Sequence, residues 1–104
     1  MLHYTDDASY KAISSQPIWQ FKASKPPGNR AFGAYFTTLP PKTPRLAARL
    51  RIPKRKLEYV FNFTGNSGLQ PLEGDRGAFI FWSPVDYNVE VDRQVYDGRS
   101  EEMP

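Results

Sequence analysis

Phe32-Gly33-Ala34-Tyr35-Phe36-Thr37-Thr38, closed by Pro40-Pro41, is the run from which the rest of the chain can be read. Its aromatic and β-branched residues suit a pleated strand, and two prolines beyond it cannot continue a hydrogen-bonded ladder. The pattern predicts a strand over 32–38. Working back, Lys25-Pro26-Pro27-Gly28-Asn29 is dense in residues that interrupt periodic structure and reads as a mobile loop. Ile18, Trp19 and Phe21 ahead of it read as a turn or short strand. Nearer the N-terminus, residues 2–5 form a short apolar-polar run suited to a strand. Asp6 or Asp7 can then cap a helix through Tyr10 and Ile13, which Pro17 ends. Position 3 thus lies on a terminal strand, where little core is expected to depend on it.

Working forward, 44–52 places Leu46, Ala47 and Leu50 on one helical face, with Arg45, Arg49 and Arg51 off it and Pro53 as the stop. Residues 59–64 alternate like a strand and end at the turn signal Gly65-Asn66-Ser67-Gly68. Short strands follow at 69–72, 78–82 and 87–91, with a weaker one at 94–96. Several short strands and two helices in the N-terminal half predict an α+β domain with antiparallel sheet. The domain is expected over 1–97, and 98–104 is expected to be a polar, frayed tail.

A chain of 104 residues supports one domain, and its 39% hydrophobic content supplies a small core. Cysteine is absent, so neither disulfides nor thiolate metal sites hold the fold together, and a thiol nucleophile is excluded. A single histidine excludes a multi-His zinc site, so no metal is expected. GxSxG, Walker A and GxGxxG patterns are all missing. No run approaches a membrane-spanning length, and the first residues lack the basic-then-apolar order of a signal peptide, so a soluble protein is expected. The net charge of +3 is unevenly spread. Lys42, Arg45, Arg49, Arg51, Lys54, Arg55 and Lys56 form an acid-free stretch, which reads first as a solvated face and second as an attractor of polyanions.

His3-Tyr4-Thr5, followed by the predicted helix, and Gly33-Ala34-Tyr35-Phe36-Thr37-Thr38-Leu39-Pro40-Pro41 together resemble the H-Y-D/E ADP-ribosyltransferases, and most of all the small toxin-type HYD1 group. The similarity extends through Tyr59-Val60 to Gly68-Leu69 and through Leu72-Glu73-Gly74 to Gly77-Ala78-Phe79-Ile80, covering 2–88. Two departures stand out. The family carries a fuller glycine-rich run before its tyrosine, and Ala78 occupies the place where related transferases put a glutamate.

The resemblance implies a small ADP-ribosyltransferase-like fold that uses NAD as co-substrate and transfers ADP-ribose to a macromolecular acceptor, protein or nucleic acid. It also implies a toxin or effector acting in the cytoplasm after delivery from a secreting cell, opposed by an immunity protein. His3 is assigned to a ribose hydroxyl, with Tyr4 and Thr5 in the same region. Tyr35 is assigned to stacking on the nicotinamide ring, with Gly33 allowing close approach to the ligand. Breaking the nicotinamide–ribose bond develops positive charge on the ribose, which a carboxylate stabilises. Glu73 is the first candidate for that acid, followed by Asp75 and Asp86. Two alternatives stay open: a binding module that has lost its acid, and an NAD glycohydrolase with water as acceptor.

Overall fold

The computed structural model describes every residue except Pro27, Asp75, Arg76 and Ala78. In chain order the described residues form β1 (Leu2–Thr5), α1 (Asp7–Ser14), β2 (Trp19–Phe21), β3 (Ala34–Thr37), α2 (Leu46–Leu50), β4 (Tyr59–Phe63), β5 (Gln70–Pro71), β6 (Ile80–Ser83), β7 (Tyr87–Val89) and β8 (Gln94–Arg99). Single 3₁₀ turns lie at Lys54–Leu57, Val91–Arg93 and Ser100–Glu102. One sheet of six strands runs β5-β6-β3-β1-β4-β8, and a second of two strands pairs β2 with β7. All of these pairings are antiparallel. The protein is therefore an α+β domain, as the run of short strands and helices predicts. Among the described residues no helix is long and apolar enough to cross a membrane.

Strand alternation sorts the side chains into two cores. Leu2, Tyr4, Val60 and Ile80 turn to one side, where Leu39, Leu46 and Leu50 join them. Phe36, Phe61 and Phe63 turn to the other and meet Trp19 and Phe21 of β2 and Tyr87 and Val89 of β7. The large sheet is thus covered by the α2 segment on one face and by the small sheet on the other. The second core is held by aromatic edges: Phe21 stands nearly perpendicular to Phe36 at 5.3 Å and to Phe61 at 5.4 Å. Each such pair contributes about 0.5–1.5 kcal/mol beyond area burial.

Three expectations change. β1 is not peripheral: it lies between β3 and β4 in the middle of the sheet, so the beginning of the chain is core. The predicted helix over 44–52 contracts to Leu46–Leu50, because Arg45 (φ 55°) and Arg51 (φ 58°) both turn left-handed and break the spiral at its ends. Residues 98–104 are not a frayed tail. Gly98 and Arg99 complete β8 opposite Val60 and Tyr59. Ser100 N–H then donates to Glu58 O at 2.9 Å, the Ser100 hydroxyl donates to Leu57 O, and Met103 packs against the first core.

Helix α1 follows its cap as expected. The Asp6 carboxylate accepts from Ser9 N–H at 3.0 Å, and Arg55 and Lys56 flank the same carboxylate at 3.3 and 3.6 Å. Tyr10 carries the helix onto the sheet, stacking on Tyr59 at 4.4 Å and donating its hydroxyl to Asp97 at 2.6 Å. The neighbouring carboxylate pushes the Tyr10 pKa up to about 12.

Candidate functional site

The central pair of strands is where the sheet comes apart. β1 aligns with β4 over four residues and β3 with β6 over four, yet β1 meets β3 only at Leu2↔Thr37. Beyond that point the two strands separate, and a cleft of about 610 Å³ opens along the gap. His3, Tyr4 and Thr5 line it from β1, and Tyr35, Phe36 and Thr37 from β3. Ser9, Ala12 and Ile13 of α1 also line it, as do Leu50 at the end of α2 and Ile52 and Pro53 beyond it. A volume of this order accommodates a drug-sized organic ligand.

His3 bridges the parted strands. Its Nδ1 lies 2.9 Å from the Tyr35 carbonyl oxygen. A carbonyl only accepts, so Nδ1 carries the proton and donates, and Nε2 keeps a lone pair. No buried side-chain nitrogen or oxygen among the described residues lacks a partner, and His3 makes no other hydrogen bond, so Nε2 reaches the open cleft. The ring packs against Phe21 at 4.7 Å and Phe36 at 5.4 Å. Desolvation among these rings, with a smaller contribution from the Lys56 charge, holds the His3 pKa down to about 4. At neutral pH the imidazole is an uncharged acceptor of fixed tautomer, suited to receive a ligand hydroxyl.

Tyr35 is half-buried on the cleft wall. It stacks beside Trp82 with centroids 6.1 Å apart and planes 14° from parallel, and its hydroxyl donates to Ala31 O at 2.5 Å. The Arg30 guanidinium lies over its ring, 5.7 Å from the centroid. Burial pushes the Tyr35 pKa up, against a smaller opposing influence of Arg30. Tyr4, though it borders the cleft, commits its hydroxyl to Leu39 O at 2.7 Å and belongs to the first core. Thr5 is buried on the cleft wall. Gly33 serves the sheet instead of the ligand: a Cβ there would lie 2.6 Å from Ser83 O and 2.9 Å from Trp82 Cε3.

Neither Glu73 nor Asp86 lines the cleft. Glu73 is exposed in the turn after β5. Asp86 is exposed before β7 and accepts from Ala23 N–H at 2.8 Å, which fastens the chain leaving β2. Asp75 lies outside the described residues. Among the described residues no carboxylate lines the cleft, whereas Lys22, Lys25, Arg30 and Lys56 do. Lys22, Lys25 and Arg30 carry no motif of their own in the sequence, where Lys25 to Asn29 reads only as a loop. Its position five residues before Tyr35 was the available signal for Arg30. Of the acid-free basic stretch, only Lys56 enters the cleft, and Arg45, Arg49 and Arg51 stand exposed on the outer side. Among the described residues no group of three His, Cys, Asp or Glu side chains is placed to hold a metal ion.

No family model, no curated protein and no solved structure gives a significant match to the chain.

Proposed function

We propose that the cleft binds NAD and that the domain transfers ADP-ribose from it to a macromolecular acceptor. The observation that carries this reading is the convergence of His3 and Thr5 from β1 with Tyr35 from β3 on one cleft, formed where the two central strands part. These are the residues that the transferase resemblance assigns to the ribose and nicotinamide. Nε2 of a neutral His3 would accept a ribose hydroxyl, the Tyr35 ring would face the cationic nicotinamide, and the lysines at the rim would draw in the pyrophosphate. In the reaction the ribose–nicotinamide bond breaks with its electron pair going to nicotinamide. An acceptor nucleophile then bonds the same ribose carbon and gives up its proton. Action as a toxin or effector in the cytoplasm of a target cell, restrained by an immunity protein, belongs to this proposal.

A second reading is favoured by the cationic cleft wall: a module that binds NAD or nucleic acid without turning it over. Incubation of the protein with adenylate-labelled NAD and a cell lysate, with and without nuclease, separates the two. Label on protein or nucleic acid supports transfer, free ADP-ribose alone indicates hydrolysis, and intact NAD that is nonetheless bound supports the module.

A further inference from the structure

We infer that Arg30 is a built-in competitor for the Tyr35 ring, covering the face a cationic ligand ring would take and setting how tightly that end of the ligand is held. The inference rests on the reading that Tyr35 stacks on nicotinamide. Trp82 lies nearly parallel beside Tyr35 at 6.1 Å. The Arg30 guanidinium lies over the Tyr35 ring, 5.7 Å from its centroid. Arg30 and Tyr35 line the same cleft, so a ligand ring that stacks on Tyr35 there meets the Arg30 head.

The backbone of the Arg30 segment is anchored and its head is not. Ser24 and Gly33 exchange two backbone hydrogen bonds of 3.0 and 2.9 Å, and Lys25 Nζ donates to Arg30 O at 2.5 Å. Among the described residues the guanidinium has one polar bond, Nη1 to Leu50 O, and at 3.4 Å it is long. Swinging the head aside breaks that weak bond and one cation–π contact, while the loop stays in place. A ligand that stacks on Tyr35 must displace Arg30, whereas one that lacks such a ring need not. The nicotinamide cation replaces the lost cation–π contact. Once the ribose bond has broken, neutral nicotinamide offers less, and Arg30 reclaims the face, which speeds departure of the leaving group.

Titration calorimetry with nicotinamide riboside, a cationic ring without phosphate, and with ADP-ribose, phosphates without the ring, tests this on the parent and on Arg30→Ala. Arg30→Ala should bind the riboside about fivefold more tightly, the loss of one competing cation–π contact, and should bind ADP-ribose no more tightly. Unchanged or weaker riboside binding by Arg30→Ala overturns the inference, as does an equal gain for ADP-ribose. Adding Tyr35→Ala to the Arg30→Ala protein should abolish the gain. If riboside binding is instead indifferent to Tyr35→Ala in both backgrounds, the stacking reading itself fails. Arg30→Gln repeats the test should the alanine variant fold poorly.

Discussion

His3 holds Tyr35 by the backbone: the imidazole Nδ1–H takes the Tyr35 carbonyl at 2.9 Å, where β1 and β3 have ceased to align. The ring substitutes for a missing rung of the sheet and leaves its other nitrogen to the cleft. One residue is thereby tied to stability and, in the proposed function, to binding, and the stability role depends on pH. Folding holds the His3 pKa down to about 4 from 6.5, so the unfolded chain takes up the proton first. The contribution is complete above pH 6.5, declines as pH falls from 6.5 to 4 and has gone below that window. Its full size is up to about 3 kcal/mol. Urea unfolding of the parent and of His3→Gln, at pH 7 and pH 4.5, should show the parent losing more stability across the interval. Equal losses in the two proteins would show that the imidazole is not desolvated.

Tyr35 separates stacking from tethering. Tyr35→Phe keeps the ring beside Trp82 and loses only the hydroxyl bond to Ala31 O, a contact on the loop side. NAD affinity should stay within about twofold of the parent. Tyr35→Ala removes the face offered to a cation and should weaken NAD binding by about five- to thirtyfold, the equivalent of 1–2 kcal/mol. Calorimetry on both folded variants checks the ordering. Equal affinities for the phenylalanine and alanine variants would remove the ring from the site.

Most of the elements were legible because each stretch carries its own signal. The cap at Asp6, the alternation of Tyr59–Phe63 and the aromatic run of Ala34–Thr37 all depend on neighbours within a few residues. What was not legible depends on distant partners. Position 3 looks expendable from its place in the chain, yet long-range pairing sets β1 in the middle of the sheet. Ser100 and Met103 look like tail residues until Glu58, Leu57 and the first core are brought against them. The site divides in the same way. His3, Thr5 and Tyr35 line one cleft, while Glu73 is exposed in the turn after β5.

Gly33 shows how a motif residue can serve packing. Its φ is ordinary, so an alanine meets no backbone strain there, but the added methyl would lie 2.6 Å from the Ser83 carbonyl oxygen. That contact cannot be relieved by a rotamer change, because Ser83 O belongs to β6 in register with Ala34. Gly33→Ala should cost about 1–3 kcal/mol of stability, the usual range for overpacking. Thermal unfolding measures the loss. Parent-like stability with impaired NAD binding would return Gly33 to the ligand.

The carboxylates decide between transfer and binding alone. A group that stabilises positive charge developing on the ribose contributes more to the transition state than to bound NAD, so its neutral isostere should lower kcat and spare affinity. Glu73 is exposed and does not line the cleft, and Asp86 is occupied with Ala23 N–H, so neither has the placement such a role requires. Glu73→Gln and Asp86→Asn should keep the parent rate within about twofold, the scale of neutral surface changes. Asp75→Asn is the remaining arm, and loss of an electrostatic stabiliser there should lower kcat by about 10²–10³. Single-turnover release of labelled nicotinamide, compared with NAD affinity for each variant, measures the split. A large drop confined to Glu73→Gln would mean that the turn after β5 closes over the cleft during the reaction. Parent rates in all three variants would exclude these acids, and a parent that binds NAD without releasing nicotinamide would make the domain a binding module.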